Sequence, residues 1–270
     1  MKSSRTTQFL AAGYANNYGS AIQRNIRDVV QPVFSRKAAS TIELLDLLAG
    51  AASPQQLNKL VNRFQGRIWN LSRDEQALLH ERLAEVLSEL VLRSKTRALR
   101  LEAAGWMRLL VQAAYLSEPD SVFITLVVAA TRNEEIDVAE CRAYLNMIAD
   151  CFWPFRHPYA TYNWEKLPAN AAFSPLAALF ALNEDSIEDL LVAVFSQLPT
   201  LDNSEIAAGL LPVVLRWAKH PDPDRRQRVI SLLARLDAAD ARAALEELKF
   251  DNDPAVRLEA LRAVEWHLSK

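Results

Sequence analysis

Glycine is scarce in this chain: six of 270 residues, roughly a third of ordinary usage, which removes the main punctuation of turn-rich β folds. Cysteine is scarcer still. Cys141 and Cys151 are the only two, and their spacing matches neither a disulfide framework nor the paired ligands of a zinc site, so a reducing, cytoplasmic setting is expected. The longest apolar run, Val122 to Ala130, is too short to span a bilayer, and the polar stretch Met1 to Gln8 lacks the apolar core of a signal peptide. No membrane partner is therefore expected. The formal charge of −2 lacks the basic excess that phosphate contacts demand, which argues against a dedicated nucleic-acid binder. Four histidines, His80, His157, His220 and His267, are scattered without metal-ligand spacing. A Gly-rich phosphate loop, a nucleophile elbow and a His-Glu-x-x-His motif are all missing, so neither a metal, a cofactor nor a catalytic residue is expected.

What is present reads as helix. Half the residues are hydrophobic and 24% are charged, ordinary for a chain that buries a core, and Leu, Ala, Glu and Arg are abundant. Apolar residues recur at spacings of three and four, as in Leu79, Leu83, Val86, Leu87, Leu90 and in Leu101, Ala104, Leu109. Helix starts are marked at Ser53-Pro54, at Ser72 with Glu75 as a capping box, at Glu118-Pro119, at Ser174-Pro175 and at Asp253-Pro254. About a dozen helices with short turns are expected. The β-branched content of Ser121 to Ala130 also admits a buried strand, although a lone strand has nothing to pair with.

The near-neutral total conceals an asymmetry. Residues 1–100 hold 15 Lys and Arg against 8 Asp and Glu, residues 101–215 hold 5 against 15, and residues 216–270 hold 11 against 10. The three segments thus carry +7, −10 and +1. Such a split arises from solvated helix faces of unequal composition, or from a polarised molecule that meets a charged partner.

The C-terminal part repeats itself. With Asp222 set on Asp253, Pro223 falls on Pro254, Arg226 on Arg257, Ile230 on Leu261 and Leu233 on Val264, an offset of 31 throughout. Each copy is preceded by an amphipathic helix, Ile206 to Lys219 or Ala241 to Phe250, so the unit is helix, Asp-Pro turn, helix. Two-helix units of this period signal an α-solenoid, in which neighbours cover one another's apolar faces. In residues 205–268 this pattern resembles the HEAT or HEAT-like repeat. The resemblance implies a ladder between neighbouring repeats, made here by Asp222 and Asp253 with Arg226 and Arg257, and it places Ile230, Leu233, Leu261 and Val264 in one continuous core. A looser copy runs from Leu78 to Leu116, whose Arg100 to Ala103 repeats the Arg-Leu-Glu-Ala of Arg257 to Ala260.

A stretch of different character interrupts the helices. From Phe152 to Pro175 it carries Trp153, Phe155, Tyr159, Tyr162, Trp164 and Phe173 with four prolines, through which a helix is not expected to run. Either its rings plug the space between two helical halves, or they form a recognition surface. The domain reading is degenerate helical repeats over 1–151, this insertion over 152–175 and HEAT-like repeats over 176–270.

The chemistry-bearing residues support binding rather than catalysis. The carboxylates near Glu134 and Asp137 and near Glu184 and Asp189 fall at helix starts, where they complement the dipole. Cys151, close to Trp153 and His157, reads as a buried small hydrophobe. Arg93, Lys95, Arg97, Arg100 and Arg108 could line a phosphate track, yet Glu85, Glu89 and Glu102 are near enough to pair with them. The expected function is a non-enzymatic adaptor or scaffold that binds another protein through a curved helical surface. Trp153, Tyr159, Tyr162 and Trp164 are its candidate anchors, Arg156 and His157 its polar handles, and Arg93 and Arg97 its steering charges. The alternative is a HEAT-like ligand-handling protein, by analogy with phycobilin lyases or with alkylpurine DNA glycosylases.

Overall fold

The computed structural model describes residues 36–117, 119–132, 137–152, 170–182 and 184–268, and among these every regular element is helical. In chain order they are α1 (Arg36–Ala49), α2 (Pro54–Ile68), α3 (Arg73–Arg93), α4 (Arg97–Gln112), α5 (Asp120–Ala130) and α6 (Val138–Cys151). A 3-10 helix (Asn170–Leu182) follows, then α7 (Asp185–Gln197), α8 (Ser204–Ala218), α9 (Pro223–Leu233), α10 (Ala239–Leu248) and α11 (Pro254–Leu268). Consecutive helices pack as pairs, and the pairs stack in two rows. First helices touch in the order α1, α3, α5, 3-10 helix, α8, α10, while second helices touch in the order α2, α4, α6, α7, α9, α11. The fold is a helical-repeat solenoid. None of the described helices is long and apolar enough to cross a membrane.

Local chemistry sets where the second helices begin. Their N-cap residues are Ser53, Thr96, Asp137, Glu184, Asp222 and Asp253, at successive intervals of 43, 41, 47, 38 and 31 residues. Asp137 accepts from the Glu140 amide at 2.7 Å, Asp222 from Asp224 at 3.0 Å, and Asp253 from Ala255 at 2.8 Å, each satisfying a donor that the helix leaves free. Ser72 and Glu75 form the reciprocal capping box at the start of α3.

From each cap the same register follows. The residues four, eight and eleven positions after the cap share one face, and from α2 to α9 all are buried: Leu57, Val61, Phe64; Arg100, Ala104, Met107; Cys141, Leu145, Ile148; Glu188, Val192, Phe195; and, except for partly buried Arg226, Ile230 and Leu233. In α11 the equivalent residues are Arg257, Leu261 and Val264, and here the expectation of a continuous core is corrected. Leu261 is 45% exposed and Val264 only partly buried, because no further pair lies over them among the described residues.

One alternative is decided for helix, and one further expectation is revised. Ser121 to Ala130 belongs to α5; its apolar residues are needed on every side because α5 lies between α3, α6 and the 3-10 helix. The end of the aromatic stretch is also helical: residues 170–175 open the 3-10 helix, which contains Pro175. Proline removes an amide donor, and the segment is wound more tightly than an α-helix.

The 3-10 helix and α8 approach closely at a glycine. A Cβ added to Gly209 would lie 2.8 Å from the Ala177 Cβ and 3.3 Å from the Ala177 carbonyl oxygen, neither of which can swing aside. Helix propensity alone would make Gly209→Ala stabilising by about 1 kcal/mol. We expect the opposite, a loss of about 1–3 kcal/mol in denaturant unfolding, since overpacking at a backbone-fixed contact outweighs propensity.

Candidate functional site

The residues that carry charge are used largely to cross-link the second-helix row. At the start of α4, Arg100 reaches forward to α6: its Nε and Nη2 donate to the two Glu140 carboxylate oxygens at 2.8 Å each, while Nη1 donates to the carbonyls of Ser94 and Lys95. The Tyr144 hydroxyl donates to the same carboxylate at 3.0 Å, and burial together with that charge raises the phenol's pKa. Arg226 repeats the arrangement at α9. Its Nε and Nη2 donate to Asp251 at 2.8 Å each, and Nη1 to the carbonyls of His220 and Pro221. Arg257 makes the same backbone bonds, to Asp251 and Asn252.

The acidic partners differ from those expected. Asp222 and Asp253 cap α9 and α11, and Arg226 pairs instead with Asp251, two residues before the cap, where the turn faces the preceding pair. The guanidinium holds the Asp251 carboxyl below its usual range.

The basic run is similarly committed. Arg97 donates to Asp137 at 2.5 Å, Arg108 to Asp150 at 2.7 Å, and Arg93 pairs with Glu89 along its own helix at 2.7 Å. On the other side of the acidic segment, Arg216 and the Trp217 indole donate to buried Glu188, and Arg225 lies over the Trp217 ring at 4.8 Å while reaching Asp189. Arginines from the front and back of the chain thus meet the acidic middle.

The aromatic stretch is rooted at both ends. Phe152 and Phe173 are fully buried and pack with Phe123 of α5, centroid separations being 5.2 to 5.7 Å. Asn170 is tied by its amide to the Thr200 hydroxyl and carbonyl and to Asp202, in the turn before α8. Trp153, Arg156, His157, Tyr159, Tyr162 and Trp164 lie between these roots, outside the described residues.

Reactive chemistry is subdued. Burial pushes the Cys141 thiol to about 11, and the buried Cys151 thiol higher still. His80 stacks on Tyr115 at 4.5 Å with its Nε2 unpartnered, and burial lowers its pKa to about 4. Among the described residues no cluster of three or more His, Cys, Asp or Glu could hold a metal ion. A shallow hollow between α9 and α11 is lined by Asp224, Gln227, Arg228, Ser231 and Glu259, a polar set without a ring.

Comparison with known proteins adds the fold. No family model and no curated protein sequence matches the chain. Solved structures do. A designed armadillo repeat protein, in complex with the peptide (KR)4, is 16% identical and superposes with a TM-score of 0.53, covering 86% of this chain and 99% of its own. An engineered protein is 15% identical, with a TM-score of 0.52 and coverage of 85% and 97%. At such identity the likeness concerns the helical-repeat architecture alone.

Two outcomes are expected. Arg100→Met, which leaves the buried Glu140 carboxylate with only the more distant Arg97 at 3.9 Å, should cost about 3 kcal/mol in chemical unfolding, and Arg100→Met with Glu140→Leu should recover much of it. For His80, the unfolded state takes up a proton near pH 6.5 while the folded state resists until about pH 4. Stability should therefore decline as pH falls through that window, and the melting midpoint of His80→Leu should decline less.

Proposed function

We propose that this protein is a non-enzymatic scaffold that binds a partner protein, with the aromatic stretch between Phe152 and Asn170 as its principal contact. The observation that carries the proposal is the rooting of that stretch. Phe152 and Phe173 are locked into the core and Asn170 is pinned to the turn before α8, so the two residues that flank the stretch, at the end of α6 and the start of the 3-10 helix, are held in fixed places. Rings bring large contact area at modest entropic cost, and prolines restrict the free chain, which together suit Trp153, Tyr159, Tyr162 and Trp164 as anchors and Arg156 and His157 as polar handles.

Repeat architecture supplies the rest of the surface, as in the armadillo design whose structure holds a peptide. We read the units as HEAT-like on the Asp-Pro turns and on the arginines Arg226 and Arg257 four residues past their caps. Arg93 and Arg97 remain 65% and 45% exposed within their ion pairs, enough to steer association. Protein is favoured over nucleic acid because Arg97, Arg100 and Arg108 are already bonded to α6. The buried thiols and neutral His80 favour binding over catalysis, and a reduced cytoplasmic setting suits both cysteines.

The test is affinity capture by the intact protein and by Trp153→Ala with Trp164→Ala. A stoichiometric protein partner should bind the parent and lose about 2 kcal/mol or more of affinity for the variant, while stability changes by about 1 kcal/mol or less. A large fall in stability with partner binding unchanged would return the rings to a core-filling role.

A further inference from the structure

We infer that the solvent-facing side of α4, centred on Gly105, docks an acidic amphipathic helix of a partner protein. None of the residues involved belongs to the aromatic stretch, and the inference does not rest on the role proposed for that stretch.

Three ion pairs hold α4 and α6 side by side. Arg97 meets Asp137 at 2.5 Å, Arg100 meets Glu140 at 2.8 Å and Arg108 meets Asp150 at 2.7 Å, so residues equally far from their caps stand at similar heights. On the other side, the Trp106 indole donates to Asn58 at 2.5 Å and ties α4 to α2. With the residues four, eight and eleven after the cap turned inward, those five, nine and thirteen after it face out, and in α4 these are Leu101, Gly105 and Leu109. They form one line about 12 Å long. Leu109 is 43% exposed, and Leu101 is only partly covered. At the same positions α2 carries Asn58, Asn62 and Gly66, and α6 carries Arg142, Asn146 and Asp150. Among these three helices the apolar line is peculiar to α4.

Glycine weakens a helix interior, and a Cβ added to Gly105 would meet no atom within 4 Å, so the chain's own packing does not call for it. Gly209 is the contrast, since there the neighbouring 3-10 helix leaves no room for a methyl group. A glycine between two leucines on an outward face lets a second helix approach closely, with its apolar side chains seated against Leu101 and Leu109.

Charge on either side selects the partner. α2 contains no Asp or Glu, and its Lys59 and Arg63 are exposed, as is Arg142 on α6. No carboxylate of the described residues pairs with any of these three. Arg97 and Arg108 are already neutralised by α6, and the only carboxylate of α4 is Glu102. A short apolar line bordered by amides and by unpaired cations on both sides fits a helix with a narrow apolar stripe and acidic flanks. A bilayer would need a broader apolar surface.

The probe is a displayed library of helical peptides about four turns long, randomised at their surface positions and selected on the intact protein. We expect the retained sequences to carry an apolar stripe at helical spacing flanked by Asp and Glu. Their affinity should fall about tenfold or more with Leu109→Glu, and severalfold with Lys59→Glu combined with Arg142→Glu. Gly105→Gln separates docking from folding: it should leave the melting midpoint unchanged or higher, yet weaken the same peptides about tenfold or more, because the added side chain occupies the line of approach. Selection of basic, extended or unpatterned sequences, or of none, would overturn the inference. So would peptides that bind Leu109→Glu and Gly105→Gln as well as the parent. Sedimentation with vesicles of mixed phosphatidylserine and phosphatidylcholine that is lost in Leu109→Glu would also overturn it, by assigning the face to a membrane surface.

Discussion

Each helix pair in this chain has two apolar sides and can bury one of them only against its neighbour. The stripe four, eight and eleven residues past each second-helix cap is the side given to the next pair, and its burial from Leu57 through Leu233 is what makes separate hairpins one body. Burying a Leu, Val, Ile or Phe side chain contributes about 1.5–3 kcal/mol, so the apolar residues eight and eleven positions past each cap supply much of the adhesion between pairs. At Gly209 this stacking is close enough that α8 approaches the Pro175-containing 3-10 helix to the point that a methyl group does not fit.

Apolar stripes give adhesion but leave the register loose, and the arginines refine it. Arg100 and Arg226 bind their own turn through Nη1 and the next pair through Nε and Nη2, which fixes both the start of the helix and the height of its neighbour. Buried ion pairs add little net stability, because desolvation offsets attraction. Their use here is positional. Where the ladder position is not arginine, other chemistry fills it: Cys141 donates to the Ala130 carbonyl, and Glu188 accepts from Arg216 and Trp217.

This variation explains how far the sequence could be read. The all-helical class followed from composition and period, and the two last pairs followed from Asp222-Pro223 and Asp253-Pro254 at a constant offset. The earlier pairs obey the same register, but the ladder residue changes from Leu57 to Arg100, Cys141 and Glu188 while the spacing ranges from 38 to 47, so identity-based alignment loses them. Asp251 was missed for a related reason. An aspartate before proline has a strong local signal as a cap, whereas one two residues earlier has meaning only once the neighbouring pair is in place. Leu261 was placed in the core because the sequence gives a residue's face without saying whether anything covers it.

The charge asymmetry also acquires a structural cause. Of the 15 acidic residues in 101–215, Asp137 and Glu140 are met by Arg97 and Arg100 from the segment before, and Asp185, Glu188 and Asp189 by Arg216, Arg225 and Arg228 from the segment after. The middle of the chain is acidic in part because it is stacked between two arginine-bearing neighbours. A solenoid makes segments that are consecutive in sequence adjacent in space, so opposite charge on successive segments is a cohesive feature before it is a recognition feature.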